Sequence, residues 1–129
     1  MFLVISLFYA GWSLLLVLWL SVQVIRRRRL HQVAVGDGGH KDLQLAIRAH
    51  ANALEYLPLA LLMMFMLEQQ HLSPWLIHGL GITLLMGRVV HAAAMPRRNL
   101  RLRVVGMAMT FLVLLAGALL GITLALIRL

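Results

Sequence analysis

The sequence predicts an all-α integral membrane protein, a single bundle of four transmembrane helices. Hydrophobic residues make up 62% of the 129 positions, well above the roughly half-apolar composition of soluble domains. They are gathered into four apolar stretches, and about 20 residues of apolar helix cross roughly 30 Å of hydrocarbon. We expect spans at about 2–25, 43–67, 75–95 and 104–127, within one transmembrane domain that covers residues 1–129.

The first stretch, residues 2–25, could be a transmembrane helix or a cleaved signal peptide. It is too long for the apolar part of a signal peptide, and its basic residues follow the apolar part instead of preceding it. No small-residue cleavage site is present. We therefore interpret the stretch as the first transmembrane helix.

The second span follows a glycine-rich segment at residues 35–40. Glycine permits the positive φ angles of turns, and the segment lacks the lysine and the Ser or Thr of a phosphate-binding P-loop. We therefore interpret it as a connecting loop. Within the second span, Pro58 is expected to kink the helix and to free backbone groups.

The third span begins after Ser73 and Pro74, a pair typical of a helix start, and Pro96 ends it. The fourth span is apolar from residue 104 to residue 127. Both spans contain glycines, among them Gly87 and Gly106. Small residues allow helices to approach closely in lipid, where packing drives their association.

The formal net charge is +8, which in a soluble protein would suggest a nucleic-acid partner. Here the basic residues lie at the ends of the apolar stretches, so we expect no nucleic acid. Those between spans one and two and between spans three and four are Arg26, Arg27, Arg28, Arg29, Lys41, Arg97, Arg98, Arg101 and Arg103. By the positive-inside rule both loops face the cytoplasm and both termini lie outside it, with lipid headgroups as partners.

Cysteine is absent, so the chain can form no disulfide and offers no thiolate of its own. Any thiol chemistry must therefore use the sulfur of a substrate.

A polar stripe marks the second span. Arg48, Asn52, Glu55 and Tyr56 are spaced so that they share one face of a helix. Ionisable side chains in a membrane span usually face the bundle interior or a cavity, because exposure to lipid costs several kcal/mol. Two interpretations remain open: a binding site, or an internal clamp in which Glu55 pairs with Arg48 or with an arginine of a neighbouring helix.

The third span carries Arg88 and His91, one helical turn apart and near the same membrane side. They can complete a cavity with the stripe of span two. No second histidine lies at metal-ligand spacing from His91, so we expect no metal. A small transporter or channel subunit would need polar residues through the full depth of the bilayer, whereas these residues gather near one side.

The segment from Arg48 through Asn52, Glu55 and Tyr56 to Pro58 resembles the MAPEG family, the membrane-associated proteins in eicosanoid and glutathione metabolism. The glycine-rich loop resembles that of bacterial members, and the resemblance covers nearly the whole chain. It implies a homotrimer, here in a bacterial inner membrane, with glutathione as co-substrate bound between subunits near the cytoplasmic surface.

The resemblance also implies roles for individual residues. Glutathione contacts would be Arg28, Arg48, His50, Asn52, Glu55, Tyr56, Arg88 and His91, and the thiol-activating arginine would be Arg101 or Arg103. One departure stands out: Met95 occupies the position of a glutathione-contacting tyrosine in the prostaglandin-forming branch.

The expected function is glutathione transfer to hydrophobic electrophiles, or reduction of lipid peroxides, through an arginine-stabilised thiolate. A guanidinium beside the sulfur favours the thiolate, the reactive form of a thiol. Met95 and the unsettled activating arginine favour an alternative, a membrane scaffold that binds glutathione or lipid without catalysis. The second substrate is not determined by the sequence.

Overall fold

The computed structural model describes residues 4–129 and contains four helices in that range. Helix α1 spans Val4–His31, α2 spans Lys41–Gln69, α3 spans Pro74–Ala94 and α4 spans Leu100–Arg128. No strand occurs within the described range, and each helix is long and apolar enough to cross a membrane. The predicted all-α protein with four membrane-spanning helices is therefore confirmed. Residue 2, the expected start of the first span, lies outside the described residues.

The helices extend past the apolar stretches at their arginine-rich ends. α1 continues through four arginines to His31, and α4 begins at Leu100. There the Asn99 side chain accepts a hydrogen bond from the backbone N–H of Leu102 (3.1 Å), which satisfies one free donor of the helix end. Arginine is a good helix former, so backbone hydrogen bonding continues where lipid contact stops.

The helix ends fall into two groups, one on each side of the bundle. Arg128, at the end of α4, donates hydrogen bonds to the side chain and backbone oxygen of Gln70, just after α2. We call this side the distal end; it contains the start of α1, residues 68–74 and the end of α4. The opposite side, the basic end, contains residues 26–41 and 94–103.

Glycines bring α3 and α4 into close contact. A Cβ atom at Gly106 would lie 2.7 Å from the carbonyl oxygen of Gly87 and 2.8 Å from the backbone nitrogen of His91. A larger residue at this point would force the helices apart. The contact holds the polar residues of α3 against the first turns of α4.

The start of α1 is capped by a carboxylate from α2. Both oxygens of Glu68, which is only 7% exposed, accept hydrogen bonds from the backbone N–H groups of Ile5 (3.0 Å) and Ser6 (2.8 Å). The first N–H groups of a helix have no partner within it, and negative charge is favourable there. Glu68 therefore fastens α1 to the distal end of α2.

A second polar contact joins α1 to α3. The hydroxyl of Tyr9 hydrogen-bonds to Nδ1 of His78 (3.1 Å), and a Cβ atom at Gly81 would overlap the Tyr9 ring. Large apolar side chains such as Leu7, Leu14 and Leu18 cover the outer surface of α1 and are mostly exposed. They are the surface that α1 offers to lipid.

Candidate functional site

Arg88 on α3 is the centre of a buried polar cluster. Its side chain is 2% exposed, and each guanidinium nitrogen has a partner. Nε donates to Oγ1 of Thr110 (2.9 Å) and Nη1 donates to Oδ1 of Asn52. Nη2 contacts Sδ of Met107 (3.2 Å) and the carbonyl oxygen of Gly106 (3.5 Å). One arginine thus links α2, α3 and α4.

No carboxylate within residues 4–129 forms an ion pair with Arg88. Its guanidinium lies 5.8 Å from the centre of the Tyr56 ring, a weak attraction, and that ring packs edge-on against Phe111. A buried charge normally requires an opposite charge. The cluster therefore contains a buried positive charge whose hydrogen-bond partners are all neutral.

A pocket of about 360 Å³ lies next to this cluster, at the basic end. Asn52 and Met107 line it and are both bound to Arg88. Its complete lining is Asn52, His91, Leu100, Arg103, Val104, Met107, Ala108 and Phe111. The pocket therefore combines an amide, an imidazole and a guanidinium with apolar walls, and no acidic residue is among the lining residues.

The two candidate thiol-activating arginines differ in position. Arg103 lines the pocket and is half-buried, whereas Arg101 is exposed and is not among the lining residues. They lie two residues apart on α4, so they point to different sides of the helix. The structure brings Arg103 to the pocket together with Asn52 and His91.

Arg48 and Glu55 lie on the outer face of α2. Their side chains are 58% and 51% exposed, and the distance between Nη2 of Arg48 and Oε1 of Glu55 is 3.9 Å. Glu55 is at the midpoint of α2, a helix long and apolar enough to cross a membrane, where lipid contact with a charge is costly. The pairing of Arg48 with Glu55 considered from the sequence is therefore present, but it lies on the surface of the single chain and not in its interior.

Two further candidates are bound to other parts of the fold. Nη1 of Arg28 donates to the carbonyl oxygens of Gly36 (2.8 Å) and Ala34 (3.4 Å) in the loop between α1 and α2. Nε2 of His50 lies 2.9 Å from Oγ of Ser21 and so joins α2 to α1. Neither residue lines the pocket.

Sequence reasoning did not select Thr110, Met107 and Phe111, which complete the site from α4. Thr110 is fully buried, and it also donates to the carbonyl oxygen of Gly106 (3.0 Å). A signal was present, because Thr110 is a polar residue in a strongly apolar span, one helical turn after a glycine.

No cluster of three or more potential metal ligands occurs among the residues that the structure describes. Met95, at the position of the expected tyrosine, is buried and caps the end of α3. It presents a thioether and no hydroxyl.

Four long apolar helices and a cationic pocket lined by α2, α3 and α4 define a multi-pass membrane protein with a polar site that opens to its surface. Residues 6–123 match the model of the MAPEG family, and the chain belongs to this family. It is 42% identical over 111 residues to the inner membrane protein YecN of Escherichia coli strain K12. The aligned residues cover 86% of this chain and 85% of YecN. The YecN protein of Escherichia coli O6:H1 strain CFT073 matches with the same identity and coverage.

The relatives also bear on location. Four membrane-spanning helices and the similarity to inner membrane proteins support a multi-pass protein of a bacterial inner membrane.

Proposed function

We propose that the protein is a glutathione-dependent membrane enzyme that transfers glutathione to hydrophobic electrophiles or reduces lipid peroxides. The observation that carries the proposal is the unpaired charge of Arg88 beside a pocket that contains Arg103. The MAPEG family includes glutathione-dependent enzymes, which makes glutathione the first anion to test.

Glutathione fits the charge of this pocket. The tripeptide has two carboxylates, one ammonium and one thiol, so its net charge is negative at neutral pH. Arg103 can bind a carboxylate or the sulfur directly, and guanidinium–carboxylate pairs are strong because two parallel hydrogen bonds form. The positive charge of Arg88, which lies behind Asn52, would also attract an anion in the pocket. This attraction is only weakly screened in an interior of low dielectric constant.

The chemical step uses the thiolate of glutathione. A free thiol has a pKa near 8.5, so only a few per cent is ionised at neutral pH. Lowering the pKa of that thiol by about two units corresponds to roughly 2.7 kcal/mol, which a guanidinium at hydrogen-bond distance can supply. Because Arg103 lines the pocket, we assign thiol activation to Arg103 in preference to Arg101.

Glutathione supplies the nucleophile, the protons and the reducing electrons that both proposed reactions require. In transfer, the sulfur forms a bond to the electrophilic carbon and the leaving group departs with its electron pair. When the electrophilic carbon is part of a strained ring, the bond from that carbon to the ring heteroatom breaks and the heteroatom keeps the electron pair. In peroxide reduction, the thiolate attacks the terminal oxygen of the hydroperoxide, the O–O bond breaks, and the alkoxide leaves and takes up the proton that the thiol released. The resulting sulfenic acid of glutathione then reacts with a second glutathione, which forms the disulfide and water. The lipid substrate would enter from the bilayer past the apolar side chains of Val104, Ala108 and Phe111.

The exposed pair on α2 supports a homotrimer with sites between subunits. Arg48 and Glu55 are half exposed on a helix long and apolar enough to cross a membrane, and charged side chains of such helices normally contact protein or water. A neighbouring subunit over this face would shield them and close the pocket. Glu55 would then bind the ammonium of glutathione or hold an arginine in place, with the basic loops in the cytoplasm and the termini outside.

In such a trimer the remaining candidate contacts are completed across the interface. Arg28, His50 and Tyr56 already contact other groups of their own subunit. We propose that Asn52, His91 and Arg103 make the first contacts and that the other residues position them.

The test is a calorimetric titration of glutathione into the purified protein, with the ultraviolet absorbance of the thiolate followed in parallel. We expect binding with a thiolate signal at neutral pH, and we expect Arg103→Gln to abolish the signal and lower kcat/KM for an apolar electrophile about 100-fold. Arg97→Gln, which removes an exposed arginine at the same end, is the matched control. S-methyl glutathione should bind without a thiolate signal.

Two outcomes separate the proposal from its alternative. Binding without a thiolate signal would favour a non-catalytic scaffold. Met95 favours the same alternative, because methionine lacks the hydroxyl of the tyrosine expected at that position. No binding at all would overturn the glutathione assignment and leave the membership of the family unchanged.

A further inference from the structure

His91 on α3 presents an imidazole without a partner to the polar pocket. The residue is 5% exposed, and it lines the pocket. Within residues 4–129 its ring has no hydrogen-bond partner, whereas the rings of His50 and His78 each have one. Buried polar groups are normally hydrogen-bonded, so the ring of His91 is left for a ligand of the pocket.

The backbone of His91 is held on two sides. A Cβ atom at Gly106 would lie 2.8 Å from both the Cβ and the backbone nitrogen of His91, so α3 and α4 meet at this residue. The backbone N–H of Met95 donates to the carbonyl oxygen of His91 (3.2 Å), which continues the hydrogen bonding of α3 past it. The imidazole therefore extends from a well-supported position in the pocket wall.

The other lining residues of the pocket cannot carry a proton. Five of the eight lining residues are apolar. The amide of Asn52 does not titrate, and the guanidinium of Arg103 stays protonated. The proposed chemistry releases a proton when the thiol becomes a thiolate, and peroxide reduction returns a proton to the departing alkoxide. An imidazole can both accept and donate a proton near neutral pH.

We propose that His91 is the proton carrier of the glutathione reaction, which accepts the proton of the thiol and returns it to the oxygen that leaves. The inference rests on the proposed function, because the proton comes from bound glutathione. Arg103 stabilises the thiolate, and His91 keeps the proton inside the pocket.

The charges around His91 favour both steps. Arg88 lies one helical turn before His91, and Arg103 lines the same pocket. A third positive charge beside two guanidiniums is unfavourable, so the imidazole is neutral before glutathione binds and can accept a proton. The thiolate and the carboxylates of glutathione then offset the charge of the imidazolium. Once the sulfur has reacted and lost its negative charge, the two arginines favour release of the proton.

In peroxide reduction the proton follows a closed path. The thiol proton moves to a ring nitrogen of His91, and the sulfur attacks the terminal oxygen of the hydroperoxide. The O–O bond breaks with its electron pair on the alkoxide, and His91 gives its proton to that oxygen, which yields the alcohol and a neutral imidazole. With an aryl chloride, chloride leaves with its electron pair and needs no proton, so that reaction does not depend on the return step.

The test compares two electrophiles, cumene hydroperoxide and chlorodinitrobenzene, in the unmodified protein and in His91→Gln. Glutamine keeps a hydrogen-bonding group but carries no titrating proton. We expect kcat/KM for the hydroperoxide to fall about 100-fold, the lower end of what general acid–base catalysis contributes, and kcat/KM for the aryl chloride to stay within about threefold. His78→Gln is the matched control and should leave both values unchanged. His78 is the other histidine of α3, and it binds the hydroxyl of Tyr9 outside the pocket.

A second measurement counts the proton itself. Calorimetric titration of glutathione in two buffers of equal pH and different ionisation enthalpy, with the thiolate absorbance in parallel, gives the number of protons released per thiolate formed. We expect about zero in the unmodified protein, because His91 keeps the proton, and about one in His91→Gln. A residue with a purely structural role would not change this number.

Different results overturn this inference and the proposed function. Equal losses of kcat/KM with both electrophiles in folded His91→Gln, or release of about one proton per thiolate by the unmodified protein, would show that His91 carries no proton. If His91→Gln does not fold, His91→Ala with imidazole in the buffer takes its place, and failure of imidazole to restore hydroperoxide turnover has the same meaning. A lack of thiolate in the unmodified protein would overturn the proposed function, and this inference with it.

Discussion

The two ends of the bundle use buried charge in opposite ways. At the distal end, the carboxylate of Glu68 is buried and both of its oxygens bind backbone N–H groups of α1. At the basic end, Arg88 is more deeply buried and has only neutral partners among the described residues. The carboxylate of Glu68 is therefore matched by the start of a helix, while the guanidinium of Arg88 has hydrogen-bond partners but no opposite charge.

This difference separates a structural ionisable residue from a candidate functional one. Burial alone does not, because both side chains are less than a tenth exposed. What differs is whether the partners compensate the charge. Two N–H groups at a helix start are a good counterpart for a carboxylate, whereas a hydroxyl, an amide oxygen and a thioether only partly compensate a guanidinium.

The largest effect is expected from Arg88→Leu at the basic end. Glutathione binding should weaken at least tenfold, because the positive charge behind the pocket is lost and Asn52 loses its partner. Thermal stability should change little, since the loss of the polar contacts of Arg88 is offset by removal of a buried charge that has no opposite charge. Titration calorimetry and thermal unfolding in the same detergent measure both quantities.

Arg88→Leu also has a clear contrary result. If the midpoint temperature falls sharply and glutathione binding per folded protein is unchanged, Arg88 is a structural residue like Glu68. The comparison between the two ends would then be wrong.

The next effect concerns the contact that holds the pocket together. Gly106→Ala should destabilise the protein by about 2 kcal/mol, because the added Cβ meets the carbonyl oxygen of Gly87 and the backbone of His91. Gly79→Ala is the matched control on α3, since a Cβ there has no neighbour within 4 Å. It should be neutral or slightly stabilising, as alanine favours a helix more than glycine does.

Thermal unfolding of the two glycine variants, followed by circular dichroism, provides the measurement. Equal stability of both variants would show that α3 and α4 can separate without loss. In that case the close approach at Gly106 would not position the polar residues of α3.

The smallest effect is expected at the distal end. Glu68→Gln should destabilise the protein by about 1 kcal/mol, because the neutral amide is a weaker partner for the start of α1 than a carboxylate. Glutathione affinity should be unchanged, since Glu68 does not line the polar pocket. Gln69→Ala, an exposed change at the next position, should alter neither quantity.

Much of the architecture could be predicted from the sequence. The apolar stretches identified four membrane-spanning helices. The spacing of Arg48, Asn52, Glu55 and Tyr56 predicted a shared polar face on α2. The pattern could not divide that face into an inner and an outer part. Asn52 faces Arg88 inside the bundle, while Arg48 and Glu55 are half exposed.

The choice between Arg101 and Arg103 shows a similar limit. Two arginines separated by one residue have the same chemistry and the same distance from the membrane, so composition and spacing cannot rank them. The rotation of α4 against α3 decides which one lines the pocket, and the two helices are in close contact at Gly87 and Gly106.

The sequence by itself determined that the protein lies in a membrane and how many helices span that membrane. The reason is that an apolar stretch must match the thickness of the bilayer. Tertiary structure alone decided which charges are compensated. Compensation depends on distances between side chains of different helices, such as Arg88 with Asn52 and Glu68 with Ile5, and helix packing sets those distances.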